Sequence, residues 1–235
     1  MIGTLINVAT VLVGGAAGCL LGERLPARQR ETTLIGLGIL TILIGTKMFF
    51  ESENVLIVLV SIMAGSIIGE ALRIEEGLQK FGNWVEKRFN LAGVQNQQSR
   101  FIRGLLSSSL LFCVGPMTIL GSIQDGLTGD YTLLAIKAAL DGFAALALAS
   151  NLGVGVIFSI FVILFYQGGL SCFAAQFEAI ITKAMIGELS GAGGVILVAI
   201  AISSLLEIRQ IRSGNMLPAL IIAPALVALL DLFGF

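Results

Sequence analysis

The sequence predicts an all-α, polytopic integral membrane protein, and three observations carry that prediction. Hydrophobic residues fill 56% of the 235 positions and charged residues only 12%, with a mean hydropathy of +0.97. A soluble domain carries about 25% charged residues. Hydropathy over windows of about 19 residues separates eight apolar runs, approximately 2–22, 32–50, 54–72, 101–123, 131–152, 153–175, 190–207 and 215–234. The 29 glycines fit the same class, because glycine is frequent in transmembrane helices and lets their backbones approach closely. At 1.5 Å per residue each run can cross a hydrocarbon core of about 30 Å.

The first run carries Gly14, Gly18 and Gly22 one helical turn apart, and the third repeats the pattern with Ser61, Gly65 and Gly69 at an offset of 47 residues. Small residues at that spacing form a stripe on which another helix can pack, within the chain or across a dimer. The favoured expectation is therefore helix packing at Gly14, Gly18, Gly22, Gly65 and Gly69, with a homo-oligomer, a dimer first, as partner state. Asn7 in the first run can bond across helices, with structure the simpler role.

Basic residues set the orientation. If the N-terminus is outside, Arg24, Arg28, Arg30, Arg73, Lys80, Lys87, Arg88, Arg100, Arg103, Arg209 and Arg212 are inside, while only Lys47 and Lys183 are outside. This bias is the positive-inside pattern. It places both termini on the outer face of a bacterial cytoplasmic (inner) membrane. Met1-Ile2 offers no basic region of the kind that opens a signal peptide.

Between the third and fourth runs, Ile74, Leu78, Phe81, Val85 and Phe89 follow helical spacing among charged neighbours. That is an amphipathic helix for the cytoplasmic surface, with Trp84 as its interfacial anchor. Asn90 to Ser99 reads as a linker. The chain is thus one membrane domain, 1–235. It has a three-span part over 1–90, including the amphipathic helix 74–89, and a five-span part over 101–235. A weaker amphipathic stretch, Phe177 to Leu189, is expected at the outer interface.

The five-span part carries the chemistry. In the fourth run Pro116 has no N–H for the carbonyl of Phe112, and Gly115 adds freedom, so a kink or break is expected there; Gln124 and Asp125 follow. The fifth run holds Lys137 and Asp141, four residues apart and so on one helical face. A charge at the bilayer centre costs about 2.5–3.5 kcal/mol on insertion scales. Lys before Asp is the weaker order for a helix-stabilising pair. The sixth run has Tyr166-Gln167-Gly168-Gly169 at mid-membrane depth, where a second break is expected. Irregular backbone at that depth is tolerated where it lines a cavity, and transporters build sites this way. In the eighth run Asn215, Pro218 and Pro224 read as a polar group with two kinks.

The stretch FCVGPMTILGSIQDGLTGDYTLLAIKAALDGFAALALASNLGVGVIFS, with Tyr166-Gln167-Gly168 and Met216-Leu217-Pro218-Ala219, resembles the bacterial YqgA/YdfK-like membrane proteins, domain-of-unknown-function family 554. The resemblance implies a small integral membrane protein and brings no settled activity. The positions it marks include Gly115, Pro116, Gly121, Asp125, Gly126, Lys137, Asp141, Gly142, Gln167 and Gly168.

Function classes narrow accordingly. No His is present, and Cys19, Cys113 and Cys172 lie apart in apolar segments, so zinc or other transition-metal chemistry lacks ligands and no cofactor is expected. The same absence argues against a serine or metal hydrolase. No GxGD arrangement or phosphate-binding glycine loop occurs, and the net charge of −1 gives no nucleic-acid signal. The expectation is a non-enzyme: a secondary transporter or facilitator of a small polar or charged solute or ion. Its substrate or ion site would use Asp141, Lys137, Gly115, Pro116, Asp125, Gln124, Tyr166, Gln167 and Gly168. The alternatives are an ion channel and a structural or regulatory scaffold in which the Lys–Asp pair only locks helices.

Overall fold

A computed structural model of the protein describes residues 1–24, 26–88, 97–113 and 115–233, and every regular element among them is helical. In chain order these are α1 (Ile2–Arg24), α2 (Ala27–Phe49), α3 (Val55–Ala71), α4 (Ile74–Arg88), α5 (Gln97–Cys113), α6 (Pro116–Thr128), α7 (Thr132–Leu152), α8 (Gly155–Cys172), α9 (Ala174–Ile180), α10 (Lys183–Ile200) and α11 (Ala219–Phe233). A π-helical turn, Ala201–Leu205, extends α10, and a 3₁₀ turn, Ser213–Met216, leads into α11. Six helical stretches are long and apolar enough to span a membrane, and two bent pairs bring the number to eight. The amphipathic helix is present as α4. The expected linker at 90–96 lies outside the described residues, whereas residues 97–99 already belong to α5.

Contacts divide the chain into two interleaved units. One comprises Met1–Leu37 with Gly82–Ile180, the other Gly38–Phe81 with Ile181–Phe235. Each joins two separate stretches of the sequence.

In the first unit α1 lies on α7. A Cβ at Gly14 would fall 2.1 Å from the Gly142 carbonyl oxygen, one at Gly18 2.3 Å from that of Leu146, and one at Gly22 2.2 Å from that of Ser150. The two numbers in each pair rise together, so the helices run parallel, backbone against backbone. α8 runs the other way against α1: Gly15 meets Ile157, and Gly168 faces Met1 and Thr4. Outward-facing Ile136, Leu140 and Phe143 leave the opposite side of α7 apolar and exposed, as a lipid-facing surface requires. α5 packs parallel on α8, with Gly155 against the backbone of Phe101, the rings of Phe101 and Phe158 5.3 Å apart, edge to face, and Cys113 further along beside Tyr166.

The second unit repeats this arrangement around α3. Gly187 meets Glu51, and Gly191 meets Ser52 and Val58, so α10 runs parallel to α3. Gly65 meets Ala219 and Gly69 meets the Asn215 carbonyl, so α11 runs antiparallel. The sequence repeat thus marks two helices with equivalent places in two three-helix sets. Both glycine stripes are filled from within the chain, and they no longer argue for a dimer.

α10 corrects the sequence reading. It begins at Lys183, not near 190, because the Thr182 hydroxyl caps it by accepting from the Met185 N–H at 3.2 Å. Much of the stretch expected at the interface is therefore the buried start of a span. Its Glu188 is 2% exposed and accepts from the Ser52 hydroxyl at 2.7 Å, the Glu53 N–H at 3.0 Å and the Asn54 N–H at 2.8 Å. A carboxylate thus satisfies donors that the start of α3 would otherwise leave open. At the far end of α3, the Asn215 side chain accepts from the Glu75 N–H at 2.8 Å and donates to Glu70, which also pairs with Arg212.

The backbone leaves helical geometry where glycine permits it. Gly129 ends α6 at φ +74°, and Gly153 forms the α7–α8 turn at φ +76°; residues with a Cβ adopt such φ at a cost.

Two outcomes follow. Gly18→Leu drives a side chain into the α7 backbone, beyond the ~1–3 kcal/mol of ordinary overpacking, and is expected to give protein that fails to reach a monodisperse state in detergent, while Gly36→Leu, with open space around it, behaves as wild type. Glu188→Ala strands three donors, and with about 1.5–3 kcal/mol for a hydrogen bond to a charged group it should unfold at lower temperature than Glu188→Gln, which keeps a carbonyl acceptor.

Candidate functional site

The expected break in the fourth span is real. α5 ends at Cys113, and α6 starts with Pro116 in its first turn after Gly115 in extended backbone (φ −169°, ψ 148°). The two halves meet at 61°. The carbonyl of Phe112 that proline cannot serve is taken instead by the Thr118 hydroxyl, at 3.0 Å. A buried carbonyl without a donor costs about 1–3 kcal/mol, so Thr118 repairs most of the damage that Pro116 does.

The second expected break does not form. Helix α8 runs unbroken through Tyr166, Gln167, Gly168 and Gly169 to Cys172. Glycine in a helix costs about 1 kcal/mol, less than exposing unpaired backbone groups in an apolar medium. Gly168 faces Met1 and Thr4 of α1, where an added Cβ would make ordinary contact.

The centre of the first unit is a polar constellation drawn from three helices. Lys137 and Asp141 of α7 form an ion pair, each 6% exposed. Asn7 of α1 donates from Nδ2 to Asp141 Oδ2 at 3.0 Å and to Gln167 Oε1 of α8 at 2.9 Å. Asn7 and Gln167 are fully buried. Their other amide atoms, Asn7 Oδ1 and Gln167 Nε2, have no hydrogen-bond partner. Cys113, at the end of α5, lies within electrostatic range of Lys137, Asp141 and Tyr166, which brings the edge of the broken span to the same place.

Other expected residues fall elsewhere. Gln124 is exposed and donates to Asp130 Oδ2 at 3.0 Å, away from the pair. Asp130 also accepts from the Thr132 N–H, and its hydrogen bonds with Thr132 hold its carboxyl below the ordinary carboxylate range. Asp125 lies against the start of α1. It is 3% exposed, and its Oδ2 accepts from the Gly3 N–H at 3.1 Å and lies 2.8 Å from the amino group of Met1. Its Oδ1 has no partner. Asn7 is the residue that sequence reasoning placed outside the site. A single Asn amid Ile6 and Val8 carries no periodic signal, and its partners lie 134 and 160 residues away.

No group of three or more His, Cys, Asp or Glu side chains able to hold a metal occurs among the described residues. The arrangement offers one carboxylate, one ammonium and two amides with free valences, in an apolar surround.

Comparison with known proteins gives this chain two relatives of matching length. It is 27% identical over 238 residues to a protein of Bacillus subtilis (strain 168) named "Uncharacterized membrane protein YdfK", covering 100% of this chain and 99% of the relative. It is 31% identical over 228 residues to "Uncharacterized protein YqgA" of Escherichia coli (strain K12), covering 97% of each. No solved structure matches. Residues 2–228 match the family described as "Protein of unknown function (DUF554)", and the chain is a membrane protein of that family.

Proposed function

We propose that the protein is a secondary transporter or facilitator for a small polar or charged solute or ion, with the Lys137–Asp141 pair at its site. One observation supports this above the others. Four buried polar side chains from three helices converge, yet two amide atoms at the centre remain unpartnered. Buried polar atoms without partners are rare in proteins and point to something that the site receives. Intramembrane ionisable residues mark substrate and ion pathways more often than not. Asp141 acts as the cation or proton site. Lys137 is its resting counter-ion, and the Asn7 and Gln167 amides complete the contact. The end of α5 at Cys113 lies within electrostatic range of the pair. The basic-residue bias further supports residence in the bacterial cytoplasmic membrane with both termini outside.

The competing reading is a scaffold, in which the pair only locks α7 to its neighbours. Breaking a buried ion pair by removing one partner costs about 3–5 kcal/mol in either case, so stability alone does not separate the two. A thermal-stabilisation screen of ions and small solutes does, followed by flux of the hits into proteoliposomes. Asp141→Asn is expected to abolish both the stabilisation and the flux, and Lys137→Ala to shift the concentration at which each half-saturates. Flux unchanged by both substitutions would refute the assigned roles. Restoration of folding by the double swap Lys137→Asp with Asp141→Lys, with no solute bound by any form, would establish the scaffold.

A further inference from the structure

Around the ion pair, unpartnered oxygens outnumber unpartnered nitrogens. Besides Asn7 Oδ1 and Gln167 Nε2, the hydroxyls of Thr4 and Ser171 and Oδ1 of Asp125 are buried without a hydrogen-bond partner. These five residues lie on surfaces that meet. Thr4 is one turn before Asn7 on α1 and faces α8 at Gly168, where an added Cβ would lie 3.9 Å from its methyl group. Ser171 is one turn after Gln167 on α8, and its carbonyl would lie 2.2 Å from a Cβ at Gly126, the residue after Asp125. Asp125 itself holds the N–H of Gly3, beside Thr4. At 1.5 Å per residue, the level of Gly3 is about 6 Å along α1 from that of Asn7. A polar track therefore runs from Asp125 past Thr4 and Ser171 to Asn7, Gln167 and Asp141.

We infer that the cargo of this site is a small monovalent inorganic cation of the sodium or potassium class, which follows the track and exchanges with the Lys137 ammonium at Asp141. The inference rests on the transport reading above and names its substrate class. Four of the five unpartnered atoms are oxygens, the donor type that hard cations take. An anion would meet two carboxylates and an excess of acceptors. The single positive side chain is already engaged with Asp141, so the carboxylate is built to hold one positive charge at a time. A divalent ion calls for more carboxylate than Asp141 supplies, because Asp125 is committed to the start of α1. Lys137 is thus an internal competitor, and an arriving cation displaces it.

The test is thermal unfolding of the purified full-length protein in detergent, with choline chloride replaced stepwise by sodium or potassium chloride at constant ionic strength. A ligand that binds only the folded state raises the midpoint in a saturable way. Wild type is expected to show such a rise with at least one of the two cations. Thr4→Val and Ser171→Ala leave the ion pair in place and should each raise the half-saturating concentration about threefold or more. Lys137→Met removes the competitor: the protein should be less stable in choline, regain stability in the cation, and reach half-saturation at about tenfold lower concentration. A purely structural ion pair predicts no cation-specific rescue. Should Asp141→Asn fail to fold, the other three variants decide the matter. The inference is overturned if neither wild type nor Lys137→Met responds to either cation, or if stabilisation follows the anion when chloride is exchanged for gluconate. If another solute still stabilises wild type but not Asp141→Asn, the cation class alone falls and the transport reading stands; if no solute does, both fall.

Discussion

The close parallel contact between α1 and α7 is the constraint on which the first unit depends. Without side chains at Gly14, Gly18 and Gly22, the two backbones approach until a Cβ at these positions would lie little more than 2 Å from carbonyl oxygens of α7. In lipid there is no hydrophobic driving force between helices, so close van der Waals packing of this kind supplies much of the association. It also fixes a distance. Asn7 lies two turns before Gly14 on α1, and only a short interhelical separation lets so short a side chain reach Asp141 and, across the seam, Gln167. Site and packing are therefore one feature, since widening the seam by a methyl group would part the amide from the carboxylate.

The second unit uses the same packing for a different end. Its stripe of Ser61, Gly65 and Gly69 brings α3 against α10 and α11 in the same parallel and antiparallel senses. Among the described residues, no buried Lys–Asp pair faces it. On α10, Ser190 and Gly191 stand in the order that Asp141 and Gly142 have on α7, and Gly191 packs on α3 as Gly142 packs on α1. The buried charged residue of this unit among the described residues, Glu188, is instead spent on the start of α3. Of two similar three-helix sets, one buries a Lys–Asp pair at its centre and the other uses its buried carboxylate at a helix start.

Much of this was legible in the sequence, for identifiable reasons. Span positions follow from hydropathy because membrane thickness imposes a length that local composition must satisfy. The break near Pro116 follows from a missing N–H, which no packing can replace, and even its repair by Thr118 is local, six residues from the carbonyl it serves. Lys137 and Asp141 lie on one face because four residues are about one helical turn. The failures were all nonlocal. Gly168 and Gly169 were expected to break α8, but a glycine that permits close packing and one that breaks a helix look the same in one chain. Glu188 was read as interfacial because charge lowers the local hydropathy average, while its three donors lie some 135 residues away. Gln124 was included in the candidate site with Asp125, yet on a helix adjacent residues point in different directions, and Gln124 is exposed and bonded to Asp130.

The same logic explains why the site tolerates its own expense. An isolated charge in the bilayer is costly, and an ion pair alone recovers that cost incompletely. The Asn7 amide adds a hydrogen bond to the carboxylate, and Gln167 in turn accepts from Asn7, so the pair is embedded in a chain of dipoles rather than in hydrocarbon. A purely structural network would be most stable with every valence closed, because each open one in a low-dielectric surround is a penalty. Here the chain of contacts is closed on the side of the ion pair and open at Asn7 Oδ1 and Gln167 Nε2, on the two helices that also carry Thr4 and Ser171. An optimised lock would not leave its open valences along one seam leading to a second buried carboxylate. On the proposed transport reading, a site that must release what it binds has reason to hold it with contacts that are individually incomplete.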